Sequence, residues 1–392
     1  MTGKRVTSMD VARLAGVSRS VVSAVINGTQ GIGVSRTKRE AVLKAMRELN
    51  YHVDASARAM KTGRSYCVAV FGDTSNALFL QLLEGLQQAS LRHGYHVLLV
   101  GQGSGSTSRD ELISLYFQRR VDGIITLDPL GYADEAWASS IREHQIPFVS
   151  VEGYAGVEDI YSVMADYYGS VRAAMEFMES RGKAGVTYLQ MEDGHCPENW
   201  AERARREAYA DFCAERGWTY RVERVQRQEP AQIQAVLEYD RAAGVPTVYL
   251  SNWTDAALEI YRAAARLDLK IGHDIAVMSS DNTYRVSSRL VPPLTVMAVP
   301  YQEMGEKAVE LLLEQIESRD GGKVECKDED MQEGMHEDKD DDKNDGENVG
   351  GYGAEDGDKY GNKCGKDEYK EASAGRLRKH WLPARLLPGK SV

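Results

Sequence analysis

From Tyr66 to Ser279, short apolar runs alternate with longer stretches of helical periodicity, and no other feature restricts the fold as much. Strands are expected at Tyr66–Phe71, His96–Val100, Gly123–Leu127, Phe148–Val151, Gly185–Leu189, Thr247–Leu250 and Ile275–Ser279. Helices of about 12–18 residues separate them, such as Leu78–His93 and Asp110–Arg119. Apolar strands joined through helices call for parallel sheets covered on both faces and right-handed crossovers. Two such halves would face each other across a cleft, and ligands in such folds bind at the carboxyl ends of the strands. A chain of 392 residues has room for both halves and a further small unit.

Charge locates that further unit. Residues 1–65 carry twelve Lys/Arg against four acids, a net +8, while the whole chain stands at -11. A small basic module on an acidic body implies a polyanion contact at one end only. Residues 323–371 hold eighteen acids and eight lysines and almost no large apolar side chains, so this stretch should lack a packed structure. No run is long and apolar enough for a membrane span, and the start leads into polar helical sequence rather than a signal peptide. The five cysteines (Cys67, Cys196, Cys213, Cys326, Cys364) are scattered without a CxxC, against a disulfide framework or zinc site. A cytoplasmic, soluble, nucleoid-associated protein is expected.

In the basic module Thr7-Ser8-Met9-Asp10 has the form of a capping box, and Val11, Ala12, Leu14 and Ala15 give the helix it opens an apolar face. Gly16-Val17-Ser18 is a turn whose serine can cap a second helix. There Val22, Val25 and Ile26 fall at i, i+3 and i+4 and face inward, leaving Arg19, Ser20, Ser23 and Ala24 outward, with Asn27 near the end. A third helix is expected from about Ser35 to Leu49. Two short helices about a glycine turn make a helix-turn-helix, whose second helix reads the major groove.

The run Val6-Thr7, Asp10-Val11-Ala12-Arg13-Leu14-Ala15-Gly16-Val17-Ser18, Val22-Ser23, Val25-Ile26-Asn27, Val34-Ser35 and Leu49-Asn50-Tyr51 closely resembles the lactose-repressor/galactose-repressor family of bacterial transcription regulators. Base contacts are implied for Arg19, Ser20 and Ala24; an arginine can bond guanine O6 and N7 together, and a methyl can meet thymine. Thr7, Ser18, Ser23, Asn27, Ser35 and Tyr51 match positions expected at the phosphates, though a hydroxyl there can equally serve as a cap. Gly31 and Gly33 lengthen the following loop. Residues 54–65 resemble the family's hinge helix, with Met60 as an intercalating wedge and Ala57 beside it; Val53-Asp54 stands where the family has Pro-Asn.

The resemblance extends over the body, through Arg120-Val121-Asp122-Gly123-Ile124-Ile125, through Pro293-Leu294-Thr295-Val296, and on through Pro300, Gly305, Ala308 and Leu311-Leu312. It implies a core similar to the periplasmic sugar-binding proteins. The fold expected is therefore an all-α helix-turn-helix domain (1–51), a hinge helix (52–65) and an α/β periplasmic-binding-protein-like core (66–392) of two doubly wound parallel-sheet subdomains. The first subdomain is assigned about 66–165 and 297–319, the second about 166–296 and 374–392, with an acidic insert at 320–373. This insert is a passive loop or a negative screen against nonspecific DNA contact.

Polyol recognition needs planar polar groups for paired hydroxyls and an aromatic face for the ring. Asp73, Ser75 and Asn76 follow the first strand, Phe79 comes one turn later, and Asn252 and Asp281 follow later strands. Arg205 matches the arginine that family members turn toward effector, and its fork suits two adjacent oxygens. Trp253, where the family has Asp, is either a ring platform or a buried seam residue; Ser279-Ser280-Asp281-Asn282 also departs from the family pattern. Asp166 is an effector candidate or a helix cap, and Tyr132 and Trp137 are loop aromatics near the cleft.

Two decoys fall away. Gly101-Gln102-Gly103-Ser104-Gly105 has Ser106 where a dinucleotide loop needs its third glycine, and it follows the second strand. Asp340-Asp341-Asp342-Lys343-Asn344-Asp345 lacks the glycine and the glutamate of a calcium loop. No catalytic constellation, cofactor or metal site is read. The expected function is an effector-responsive transcriptional repressor of carbohydrate-utilisation genes, a homodimer or tetramer on pseudo-palindromic operator DNA, with a small sugar-like effector. A sugar-binding receptor without a transcriptional role, or a regulator responding to a nucleoside, a purine or another non-sugar metabolite, is the alternative.

Overall fold

The computed structural model describes residues 6–27, 34–52, 55–101, 109–130, 132–192, 194, 199–283, 285–325 and 378–392. The lengthened glycine loop, both decoy motifs apart from Gly101, and most of the acidic insert lie outside them.

The amino-terminal module holds α1 (Ser8–Ala15), α2 (Arg19–Asn27) and α3 (Arg36–Glu48), followed by α4 (Ala55–Thr62). Both arms of the expected capping box are present: the Asp10 amide donates to the Thr7 side chain, and the Asp10 carboxylate accepts from the Thr7 amide at 3.0 Å. Gly16 ends α1 at φ 65, a left-handed conformation that costs glycine little. Ser35 caps α3 by accepting from the Lys38 amide. Val11, Ala12, Val22, Val25, Val42 and Ala45 form the small buried core where periodicity expects it, but Leu14, expected on the same apolar face, is 50% exposed.

The body contains β1 (Cys67–Gly72), α5 (Ala77–Arg92), β2 (His96–Gly101), α6 (Arg109–Phe117), β3 (Gly123–Leu127), α7 (Glu135–Glu143), β4 (Phe148–Val151) and β5 (Tyr161–Asp166). Then come α8 (Tyr167–Ser180), β6 (Thr187–Glu192), α9 (Trp200–Arg216), β7 (Val222–Gln226), α10 (Ala231–Ala243), β8 (Val248–Ser251), α11 (Thr254–Arg266) and β9 (Ala276–Ser279). The last elements are β10 (Thr295–Ala298), α12 (Tyr301–Glu325), β11 (Lys379–Pro383) and β12 (Arg385–Leu387). Two six-stranded sheets result, ordered β11-β5-β4-β3-β1-β2 and β12-β10-β9-β8-β6-β7. The strand pairs are parallel except β10 with β12. Central strands such as β3 and β5 are buried along most of their length, as helices on both faces require.

Three strands escaped the sequence reading for physical reasons. The polar edge strand β7 lacks an apolar run, Ser162 interrupts β5, and β10 is a short stretch beside two prolines. Among the described residues the chain passes between the sheets three times, from β5 to α8, from β10 to α12, and from β11 to β12. The segment returning from the insert, expected wholly in the second subdomain, divides between the two sheets. Residues 379–383 pair in parallel with β5 in the first sheet, and only residues 385–387 join the second. A strand that switches sheets at one residue cannot be divided by hydrophobicity alone.

Candidate functional site

The outward face of α2 begins with Ser18, Arg19 and Ser20, all exposed. Ser18 accepts from the Val21 amide at 3.4 Å and lies 2.7 Å from the Ser20 hydroxyl, so it is a helix cap that still reaches solvent. The Arg19 Nε donates to Ser8 Oγ at 3.2 Å, which holds the guanidinium against the start of α1. Ser23 is half-buried and has a partner. Ala24 corrects the expectation that it faces outward, because it is only 3% exposed. A methyl does not project past the surrounding chain as Arg19 does, so the presented face is narrower than periodicity suggested.

Thr7 is exposed and its hydroxyl donates to Asp10, while Ser35 is exposed at the cap of α3. Tyr51 is half-buried against the module's core, so its ring packs inward. The side chains of Asn27 and Ala57 lie outside the described residues. Residues 55–62 do form a helix, from which Met60 projects 89% exposed. The chain then docks on the body through Asp122, which accepts from the Ser65 amide at 2.7 Å and the Tyr66 amide at 2.8 Å. Arg58 sits over the Tyr66 ring at 3.5 Å.

The second candidate region lies where the carboxyl ends of the two sheets face each other. On the first lip Asp73 accepts from the Ser75 amide at 2.8 Å and its hydroxyl at 2.7 Å, bonds that hold its carboxyl below the usual range. Asn76 caps α5 through the Leu78 amide, and Phe79 is fully buried against Gly72. These four residues build the turn and its packing, and they are not in the polar cluster of the opposite lip. Asp166 caps α8 by accepting from the Gly169 amide at 2.7 Å. Tyr132 is half-buried and Trp137 buried; Tyr132 flanks Arg109, which pairs with the buried Asp128.

The second lip gathers Arg205, Asn252, Trp253 and Asp281. Arg205 is wholly buried, with Nη1 donating to Glu202 at 2.6 Å. Its guanidinium carbon lies 4.1 Å from the Tyr167 ring centroid and 4.4 Å from that of Trp253, so Trp253 covers the arginine. Asn252 clips β6 by donating to the Met191 carbonyl at 3.0 Å and accepting from its amide at 2.9 Å, and it also donates to Glu202 at 3.2 Å. Asp281 accepts from the Thr254 amide and hydroxyl at 2.5 and 2.6 Å, and from Ser279 at 3.2 Å. Burial nevertheless raises its carboxyl above the ordinary range. The Nε and Nη2 of Arg205 have no partner among the described residues.

Sequence reasoning missed Glu152, which follows β4 as Asp73 follows β1; applying the strand-end rule to every strand would have found it. It is 1% exposed and accepts from Tyr167 Oη at 3.0 Å, with its Oε2 unpartnered. Burial pushes its carboxyl up to about 8. Tyr301 lies 3.1 Å from Tyr167 Oη, and the Trp200 indole donates to the Glu152 carbonyl at 3.3 Å. Glu152 from the first lip is thus tied through Tyr167 to Arg205 from the second. Gln81 donating to the Thr283 carbonyl at 2.7 Å and the Arg285–Glu84 pair at 2.9 Å also bridge the lips. Among the described residues no cluster of His, Cys, Asp and Glu could hold a metal, and no helix is long and apolar enough to cross a membrane.

Comparison with known proteins finds similarity in both parts of the chain. Residues 7–54 match the family of bacterial regulatory proteins, lacI family, and residues 176–330 match the periplasmic binding protein-like domain. The HTH-type transcriptional repressor PurR of Vibrio campbellii is 28% identical over 323 residues, covering 81% of this chain and 94% of its own. Catabolite control protein A of Priestia megaterium is 26% identical over 313 residues, covering 78% and 91%. Among solved structures, the lac repressor bound to ONPG superposes with a TM-score of 0.66 at 20% identity, covering 99% of this chain and 100% of its own. The transcriptional regulator CelR in complex with cellobiose does so with a TM-score of 0.57 at 20% identity, over 99% and 100%.

Proposed function

We propose, on the premise that this chain belongs to the lacI family and is a DNA-binding transcriptional repressor, that a small sugar-like effector in the cleft sets its grip on operator DNA. Two copies place their α2 helices in adjacent major grooves of a pseudo-palindrome, where Arg19 and Ser20 read bases. Paired α4 helices wedge Met60 into the central minor groove and bend the duplex. Thr7, Ser18 and Ser35 meet phosphates and set the register.

The observation that carries the effector reading is Arg205. A buried guanidinium edge without partners is costly to keep, and here it lies where both lips meet. A ligand supplying acceptors to that edge engages the second lip directly and the first through Tyr167 and Glu152. It therefore favours one angle between the halves, and the three chain crossings pass that angle to the hinge helices. The change in DNA affinity is bounded by the ligand's differential affinity for the two states. CelR was solved with cellobiose, which supports a carbohydrate as the first class to try.

The test is an operator titration with Arg205→Lys, which keeps the charge but removes the fork. Operator binding without ligand should persist while the response to ligand disappears. A normal response would reject Arg205 as the effector contact.

A further inference from the structure

Only residues 63–66 join the hinge helix α4 to β1, and this short link is clamped. Gly63 ends α4 at φ 71, with its amide donating to the Ala59 carbonyl at 2.8 Å. Tyr66, the last residue before the sheet, stands at φ 56. That left-handed region suits glycine, and a bulky aromatic residue held in it is strained. Such a conformation persists only where the surroundings over-determine it.

The surroundings of Tyr66 do so from several sides. One oxygen of Asp122 accepts from the Ser65 amide at 2.7 Å and the Ser65 hydroxyl at 2.8 Å, and the other accepts from the Tyr66 amide at 2.8 Å. The Tyr66 carbonyl accepts from the His96 amide at 2.9 Å. Its ring centroid lies 5.5 Å from that of Tyr95 and 3.5 Å from the Arg58 guanidinium carbon. Arg58 belongs to α4 itself, so the turn grips the helix that leaves it as well as the sheet it enters. Asp122 is set between α6 and β3, and its own amide donates to the Cys67 carbonyl at 2.7 Å. These anchors on the body all flank strands of the first sheet.

A link that had only to connect two parts would not need a strained tyrosine and a carboxylate taking three donors. An eight-residue helix is too short to hold its own direction. Two such helices must meet in one minor groove, and freedom lost at that moment weakens the complex. A direction fixed beforehand removes part of that loss.

We propose that Asp122 and the left-handed turn at Tyr66 are positioning residues for operator recognition: they fix the direction in which α4 leaves the first sheet, so that the two hinge helices of a dimer stand ready for one minor groove. This inference rests on the reading of α4 as the helix that enters that groove.

The experiment compares Asp122→Ala, Tyr66→Gly and the parent as full chains. Each is titrated by fluorescence anisotropy on a genomic fragment selected for binding the parent and on a random duplex of equal length, under the conditions of that selection. Glycine takes a positive φ without strain, so Tyr66→Gly lets the turn open without forcing the backbone, and it keeps the test decisive whatever Asp122→Ala does to stability. Each variant should lose at least about 10-fold of the preference for the selected fragment. Affinity for the random duplex, and its dependence on salt, should stay as in the parent. A parent-like preference in either variant overturns the inference. So does an equal weakening on both duplexes, which is what a residue that only holds the fold together would give. Met60→Ala is measured beside them for DNA bending. Full bending by Met60→Ala rejects the minor-groove reading, and a loss of preference in the Asp122 and Tyr66 variants then still upholds the joint, acting through placement of the amino-terminal modules.

Discussion

The face of α2 and the lip around Arg205 both present an arginine, and the two arginines live in opposite surroundings. Arg19 is exposed and holds a 3.2 Å bond to Ser8, whereas Arg205 is wholly buried between two rings and bonded to Glu202. A surface that must find a polyanion gains from a solvated cation that can swing onto a base edge, and the cost of holding it ready is small. A cleft that must distinguish small molecules gains from a charge fixed in advance, and fixing it requires a network that offsets its desolvation. Function at the first site should therefore separate from stability, and at the second it should not.

The largest expected effect is at Arg205. Removing it as Arg205→Ala leaves Glu202 without its cation and opens the space between Tyr167 and Trp253, so a loss of about 3–5 kcal/mol is expected in urea unfolding of the full chain. A variant as stable as the parent would break the contrast. Next comes Arg19→Ala, which should weaken specific operator binding by about 1–3 kcal/mol while changing unfolding by under about 0.5 kcal/mol. Equal losses in binding and stability would show that Arg19 holds the module together. Met60→Ala should reduce operator bending in a gel-mobility assay with no change in the unfolding midpoint, since Met60 is 89% exposed. Full bending by the variant would reject the wedge.

The smallest effect is a slope. Glu152 in the unfolded chain titrates in the ordinary carboxylate range, and burial pushes it up to about 8 in the fold. The folded state therefore binds the extra proton between those values. The stability linked to this group is complete below the ordinary range and is lost as pH rises through about 8. Glu152→Gln should flatten the fall in thermal stability between about pH 5 and 8. An identical slope in the variant would place the titration elsewhere.

The contrast also explains how much the sequence revealed. The helix-turn-helix was legible because its signals are local: the Thr7–Asp10 box, the turn at Gly16, the cap at Ser35 and the inward Val22 and Val25 fall within about thirty residues. What failed there was fine exposure, since Ala24 proved buried. The parallel sheets were legible from apolar runs, except where β7 is polar and the returning segment divides between sheets. The cleft was only half legible. Arg205, Asn252, Trp253 and Asp281 do gather on one lip, with Glu202 one helical turn before Arg205, but Glu152 and Tyr167 meet them from far along the chain. Asp73, Asn76 and Asp166 have the right chemistry and proved to serve turns and caps. A polar residue after a strand may bond its own backbone or a ligand, and composition does not separate the two.

The central claim is that a ligand in the buried cleft alters the hold of the exposed module on DNA. It is tested most directly by fluorescence anisotropy of the full chain on a genomic operator fragment, with and without a ligand that calorimetry shows to bind. The affinity should change by at least about 10-fold for the parent chain and stay constant for Arg205→Lys. An operator affinity that does not move when the parent's cleft is saturated would contradict the account.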